Sequence, residues 1–382
     1  MSVIKLSDYH ISPLTGFLPE KPIDVKPKLN KKWHELAMQL PKYLPTANIR
    51  AFIRRLPAYR PDDLTPAEQQ MRMLSYLGHA YLWGETKPPK RLPRKFAQAW
   101  VSLAEKTGRP AILSYPSYCL FNFNVFDASK PAYLGNIAIT QNFFGGADED
   151  WFILIHVDIE AHAAQAIAAI PELLEATNGK NVIGTEGVKQ GLMQVKKSLM
   201  DINTTMNRMP ELCDPYIYYT RVRPYIFGTK NNPATPKGIV YEGCFEDTPQ
   251  YYRGETGAQS GIVPALDALL GVSHENDPLK EYLLEMRNYM PPLHKKFVEV
   301  VENQSLVRVF VQKNTKDTEL VALYNDCVDL VFAFRQKHLE YASSYIHKQA
   351  LQSNNSNVVG TGGTPFMTYL AKHRDETKLT II

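Results

Sequence analysis

Cysteine is scarce in this 382-residue chain, and Cys119, Cys213, Cys244 and Cys327 stand too far apart for a C-x-x-C pair, a zinc ribbon or a C-x-x-C-H attachment motif. A reduced, cytoplasmic setting is expected. Charge of one sign is equally lacking: 43 Lys and Arg against 39 Asp and Glu leave +4. That excess, without a basic run, gives no reason to expect a nucleic-acid partner. The opening residues lack the basic start, apolar stretch and small-residue cleavage site of a secretory signal. No stretch approaches the ~18 to 20 continuous apolar residues of a membrane span, because Gln165 and Pro171-Glu172 interrupt Ala161 to Leu174. No membrane partner is expected.

What is present is enough apolar material for a sizeable core, with 44% hydrophobic and 21% charged residues, and length for two domains. The first thirty residues, broken by Pro13, Pro19, Pro22 and Pro27, read as an extended arm. Helical spacing follows at Trp33 to Leu40, Pro66 to Trp83 and Arg94 to Lys106. Thr65-Pro66-Ala67-Glu68 reads as an N-cap, a first-turn proline and a capping box. Leu113 to Phe126 is open between helix and extended chain. Gly145-Gly146, before Asp148-Glu149-Asp150, is the clearest break, so residues 1–145 are expected to form a smaller mixed domain and 146–382 a larger helical one. The fold class expected is mainly α.

Leu320, Tyr324, Cys327, Val331, Phe334, His338, Tyr341 and Tyr345 recur at spacings of three and four and share one helix stripe, so His338 points inward. Two readings stand open: a core histidine bonded to a neighbour, or a neutral imidazole ligating haem iron. Arg335, three residues earlier, could pair with a haem propionate. His156 lies in an apolar helix start and could pair locally with Glu160. A non-haem site from His156, Asp158, Glu160 and His162 fits neither Glu-x-x-His nor His-Glu-x-x-His. Arg221 and Arg223 stand among Tyr216, Tyr218, Tyr219 and Tyr225, a combination suited to a small aromatic carboxylate. Gly360 to Thr364 has no Walker lysine and follows a polar Asn/Ser stretch, so it is a hinge or linker and no phosphate loop.

The GTGGT of Gly360 to Thr364, His338 within FRQKHLEYASSYI, YEGCFEDTPQYYRGETGAQSG from Tyr241 and RNYMPPLHKKF from Arg287 together resemble the indoleamine 2,3-dioxygenase family. The resemblance is dense from Asp214 to Thr364 and thin over the first 150 residues. It implies a large helical domain carrying haem b, capped on its distal side by the smaller domain. His338 would then be the proximal iron ligand and Arg335 the propionate partner. Arg223 would hold the substrate carboxylate and Thr361, between Gly360 and Gly362, the ammonium. Thr256, Gly257 and Ala258 would form a small-residue turn over the haem, Tyr115 would line the indole pocket, and residues 352–364 would be a lid. Tyr218 and Tyr219 stand where the animal enzymes have two phenylalanines. His156 stands where those have serine, while the related tryptophan 2,3-dioxygenases have a distal histidine that binds the indole N–H. The implied activity is insertion of both atoms of O2 across the C2=C3 bond of L-tryptophan or a related indole, with a reductant keeping the haem ferrous. A different oxidation of an indole, or haem binding without turnover, remains open; Arg223 and Thr361 argue against the latter.

Overall fold

The computed structural model describes residues 4–60, 62–178, 184–352 and 366–382, with side chains from 370 onward in the last span. Helix dominates it. The longer helices are α1 (Lys31–Met38), α2 (Ala67–Trp83), α3 (Arg94–Thr107), α4 (Ala147–Thr177), α5 (Gly184–Asn207), α6 (Ile262–Leu270), α7 (Pro278–Met286), α8 (Pro292–Gln304), α9 (Val307–Lys313), α10 (Thr318–Tyr341) and α11 (Phe366–Lys378). The short strands are β1 (Arg91–Leu92), β2 (Phe123–Val125), β3 (Ile137–Ile139), β4 (Ile239–Tyr241) and β5 (Pro249–Gln250). β4 pairs in parallel with β1 and antiparallel with β5, while β2 and β3 pair antiparallel with Asn124 opposite Ala138. The fold is mainly α, as the spacing predicts.

The glycine break becomes the start of α4. Gly146 caps it at φ +103°, a backbone conformation that side-chain-bearing residues rarely adopt. Asp148, Glu149 and Asp150 fill the first turn, where negative charge meets the positive end of the helix dipole. Glu149 folds back to accept from the backbone N–H groups of Phe143 (2.6 Å), Phe144 (2.9 Å) and Gly145 (3.0 Å).

Helix α4 then runs between two cores. Ile153, Val157 and Ala161 enter one with Trp33, Tyr76 and Trp100. Ile155, Ile159, Ala163 and Ile167 enter the other with Leu192, Leu199, Tyr324 and Val331. A helix buried on both sides must be apolar all round. That corrects the expectation of a broken apolar run: α4 continues through Pro171, and by length (31 residues) and hydropathy it could cross a membrane. Its apolarity has another cause, since 72% of the most apolar window is buried against protein.

Helix α5 packs between α4 and α10, and α11 lies along α10. The N-terminal arm is anchored by Leu6, Ile11 and Phe17 in the second core, with the Phe17 ring 4.9 Å from that of His294. The capping box before α2 does not form. The cap falls on Pro66, the Thr65 hydroxyl donates to Asp62 (2.5 Å), and Glu68 pairs with Arg109. Leu113 to Phe126 resolves into a π-helical turn, Pro116–Leu120, followed by β2.

Candidate functional site

Asp317 caps α10 by accepting from the Leu320 N–H (3.1 Å), and the stripe beyond it is buried, with Leu320, Tyr324 and Cys327 at 0% exposure. At His338 this wall opens. His338 is an exposed residue, where the stripe predicts that it points inward, yet desolvation by the surrounding protein, with smaller contributions from the charges of His156 and Arg335, pulls its pKa down to about 4. The combination describes a side chain in a cleft. Its imidazole is neutral near pH 7, with a lone pair to give. Among the described residues its imidazole makes no hydrogen bond.

The charge of His156, on α4, contributes to the lowering at His338. His156 Nδ1 lies 2.7 Å from the carbonyl of Phe152. A carbonyl only accepts, so Nδ1 carries the proton and Nε2 is left as the bare acceptor. Burial lowers the pKa of His156 and keeps that tautomer neutral. The local pair with Glu160 does not form, because Glu160 accepts instead from the Ser260 hydroxyl (2.7 Å). His162 turns away and stacks on Tyr133 at 4.2 Å, so the four-ligand cluster around His156 is not assembled.

Aromatic rings wall this cleft. Phe152 lies 4.6 Å from His156 and 4.8 Å from Tyr218, while Tyr115 meets His156 edge-on at 5.9 Å. Three π-helical turns converge here: Pro116–Leu120 with Tyr118, Tyr218–Val222, and Ala342–His347 directly after α10. Their rings touch in sequence, Tyr118 to Phe152 (6.3 Å), Phe152 to Tyr218 and Tyr218 to Tyr345 (5.7 Å). Such turns insert one residue into a helix and re-aim side chains, and they concentrate at functional sites. Arg223, 3% exposed, has its guanidinium carbon 5.1 Å from the Tyr219 ring and 4.4 Å from that of Phe227. The buried hydroxyls of Tyr118 and Tyr219 have no hydrogen-bond partner among the described residues.

The turn at Thr256, Gly257 and Ala258 is pinned against α4. Thr256 Oγ1 accepts from Ala258 N (3.4 Å), Ser260 holds Glu160, and Gln259 accepts from the Tyr115 N–H (2.9 Å). Gly257 is exposed, and a Cβ there would meet nothing within 4 Å, so no neighbouring side chain crowds the turn. Arg335 is less available than expected. Its terminal nitrogens serve Asp267 (3.0 and 2.5 Å) and Thr377 (2.7 Å), leaving a propionate the Nε group and the charge. Gly360, Thr361, Gly362 and the expected lid, 352–364, lie outside the described residues apart from Gln352.

Sequence reasoning missed Phe152 and Glu255, and gave Glu160 the wrong partner. Phe152 stands one turn before His156, a signal that could have found it. Glu255, 2% exposed, had none. Burial raises the carboxyl of Glu160 to about 7 and that of Glu255 to about 8, so both hold protons readily at neutral pH.

The Arg335–Asp267 pair predicts an acid limit. Desolvation pushes the Asp267 carboxyl up, but Arg335 and His274 outweigh it and bring it to about 2 from 3.8. A depressed carboxylate stabilises the fold above its unfolded value and loses that contribution as pH falls through its folded one. The stability advantage of the wild type over Asp267→Asn is therefore expected to be constant from pH 7 to 5 and to shrink between 3.8 and about 2. Urea midpoints across that range check it.

Uncharged nitrogen donors opening on a cleft suit haem iron better than a hard cation, and the aromatic walls suit a planar ring. The class is that of the haem-dependent dioxygenases acting on tryptophan or indoles. Within it the chain belongs to the indoleamine 2,3-dioxygenase family, whose description, Indoleamine 2,3-dioxygenase, matches residues 5–380. It is 33% identical to Indoleamine 2,3-dioxygenase 1 of Rattus norvegicus, over 99% of this chain and 96% of that one. It is 31% identical to Indoleamine 2,3-dioxygenase 2 of Homo sapiens, over the same shares. A protein of Haliotis madaka named Myoglobin is 28% identical over 99% of each chain.

Proposed function

We propose that this enzyme holds haem b on His338 in the cytoplasm and inserts both atoms of O2 across the C2=C3 bond of L-tryptophan or a close derivative, giving an N-formylkynurenine-type product. The observation that carries this reading is the neutral imidazole of His338, without a hydrogen bond to any described residue, with the aromatic-flanked imidazole of His156 close enough for its charge to bear on it. When bound, the haem supplies the activation of dioxygen that no side chain provides. With haem bound, residues 1–145 would close the substrate side, the turn at Thr256, Gly257 and Ala258 would help to hold the group, and Arg335 would contribute its charge to a propionate.

His156 Nε2 accepts the indole N–H, because its other nitrogen is committed to the Phe152 carbonyl. Tyr115, Phe152, Tyr218 and Tyr219 flank the indole and exclude water, and Arg223 takes the carboxylate. A neutral hydrogen bond of about 1 kcal/mol corresponds to roughly fivefold in rate. The ratio of kcat/KM for L-tryptophan to that for its N1-methyl derivative is therefore expected to fall about fivefold in His156→Ala, since the methylated ring has no N–H to lose. An unchanged ratio would remove His156 from this role.

Incubation with L-tryptophan, a reductant and oxygen-18 tests the whole reading by the near-ultraviolet absorbance of the product and its isotope count. Two labelled atoms support it. One atom assigns the chain to monooxygenation. The Tyr118 and Tyr219 hydroxyls favour a second substrate reading, an indole bearing a polar substituent that pairs them. A stable Soret band without any indole turnover would place the chain with non-catalytic haem binders.

A further inference from the structure

Behind the Arg335–Asp267 pair, three side chains from two parts of the chain come together. His274 follows α6, and His373 and Glu376 are on α11; one ligand atom from each lies within 4.8 Å of the others. Glu376 divides its carboxylate. Oε1 faces Lys372 (3.6 Å), while Oε2 lies 2.5 Å from His274 Nδ1 and 3.9 Å from His373 Nε2. The imidazoles stack with centroids 3.8 Å apart and planes 6° from parallel. His373 is 5% exposed, and its Nε2 is buried without a hydrogen-bond partner among the described residues.

The geometry points to a divalent-cation site of the zinc type, with His274 Nδ1, His373 Nε2 and Glu376 Oε2 as ligands and one position left for water. Two histidines and a glutamate are a recurrent zinc donor set. Zinc bonds of about 2.0 to 2.1 Å at tetrahedral angles place neighbouring ligand atoms roughly 3.3 Å apart. The 2.5 Å separation must open and the 3.9 Å separation close, each by less than ~1 Å, and the two imidazole nitrogens, within 4.8 Å of each other, must close by up to ~1.5 Å, which side-chain rotations that splay the stacked rings supply. The second layer suits a ligand as well. His274 Nε2 lies 3.6 Å from Asp267 Oδ2 and 3.5 Å from Arg335 Nη2; with a metal on Nδ1 it would carry the proton and turn to the carboxylate, the arrangement that orients metal-bound histidines. Charge agrees in sign: the carboxylates of Asp267, Glu275, Asp277 and Glu376 face Arg335 and Lys372, with Lys280 Nζ 3.2 Å from the His274 carbonyl, so a net negative charge remains beside the three ligand atoms. Bound there, the ion would clamp α11 to the loop after α6 and, through Asp267 and Arg335, to the helix that carries His338.

The test uses the holoprotein, stripped with a chelator and titrated with zinc chloride. Bound zinc is counted after gel filtration, and the thermal midpoint is followed. One ion per chain, raising the midpoint, is expected. His373→Ala and His274→Ala should each weaken uptake at least tenfold and abolish the thermal shift, with the Soret band and far-ultraviolet dichroism unchanged. Should His373→Ala fail to fold, Glu376→Gln, which keeps the side-chain volume, takes its place. Asp267→Asn should weaken uptake by about tenfold. No uptake by the wild type, or uptake undiminished in the ligand variants, overturns the site. Neither readout requires turnover, so failure here leaves the oxygenase reading untouched.

Discussion

His338→Ala is expected to yield a folded helical protein with no Soret band and no indole oxidation. The fold survives because the imidazole lies in an accessible cleft and makes no hydrogen bond to a described residue, so truncation opens no packed core. The loss of haem follows because the remaining imidazole of the cleft, His156, has one nitrogen committed to Phe152 and the other aimed at substrate. Far-ultraviolet dichroism should match the wild type, and added imidazole should restore part of the visible spectrum. A full Soret band in this variant would move the iron ligand to another residue. A lost band together with a collapsed helical signal would show that His338 supports the fold.

Arg223→Ala should lower kcat/KM for L-tryptophan by roughly 30-fold or more, corresponding to about 2 kcal/mol for a buried carboxylate deprived of its charged partner. The guanidinium is nearly inaccessible, lies on the Tyr219 and Phe227 rings and has its pKa lowered by burial, so little solvent screens a bound anion. Oxidation of an indole lacking a carboxylate should change far less. Arg223→Lys should recover only part of the loss, because an ammonium neither forms the two-pronged contact nor stacks on the rings in the same way. Equal losses with both substrates would mean that Arg223 shapes the pocket and does not bind the carboxylate.

Particular elements show where sequence sufficed and where it failed. The stripe from Leu320 to Val331 is legible because helical spacing assigns a face. Strands of two or three residues carry no alternation, so β1, β4 and β5 left no trace. The box at Thr65 fitted its motif and still failed, because Asp62 and Arg109 compete for its two side chains. The π-helical turns are invisible to a 3.6-residue period, and with them the inward aim of Tyr118 and Tyr218.

The sequence by itself determined a mainly α chain, a family through its dense C-terminal motifs, and His338, His156 and Arg223 as the residues to watch. Only the tertiary structure decided that Phe152 fixes the tautomer of His156, that Arg335 is largely spent on Asp267, and that His274 meets His373. Periodicity says which way a side chain faces along its own helix. What it faces depends on how distant helices pack, and that is set by the shapes of two cores no single segment contains.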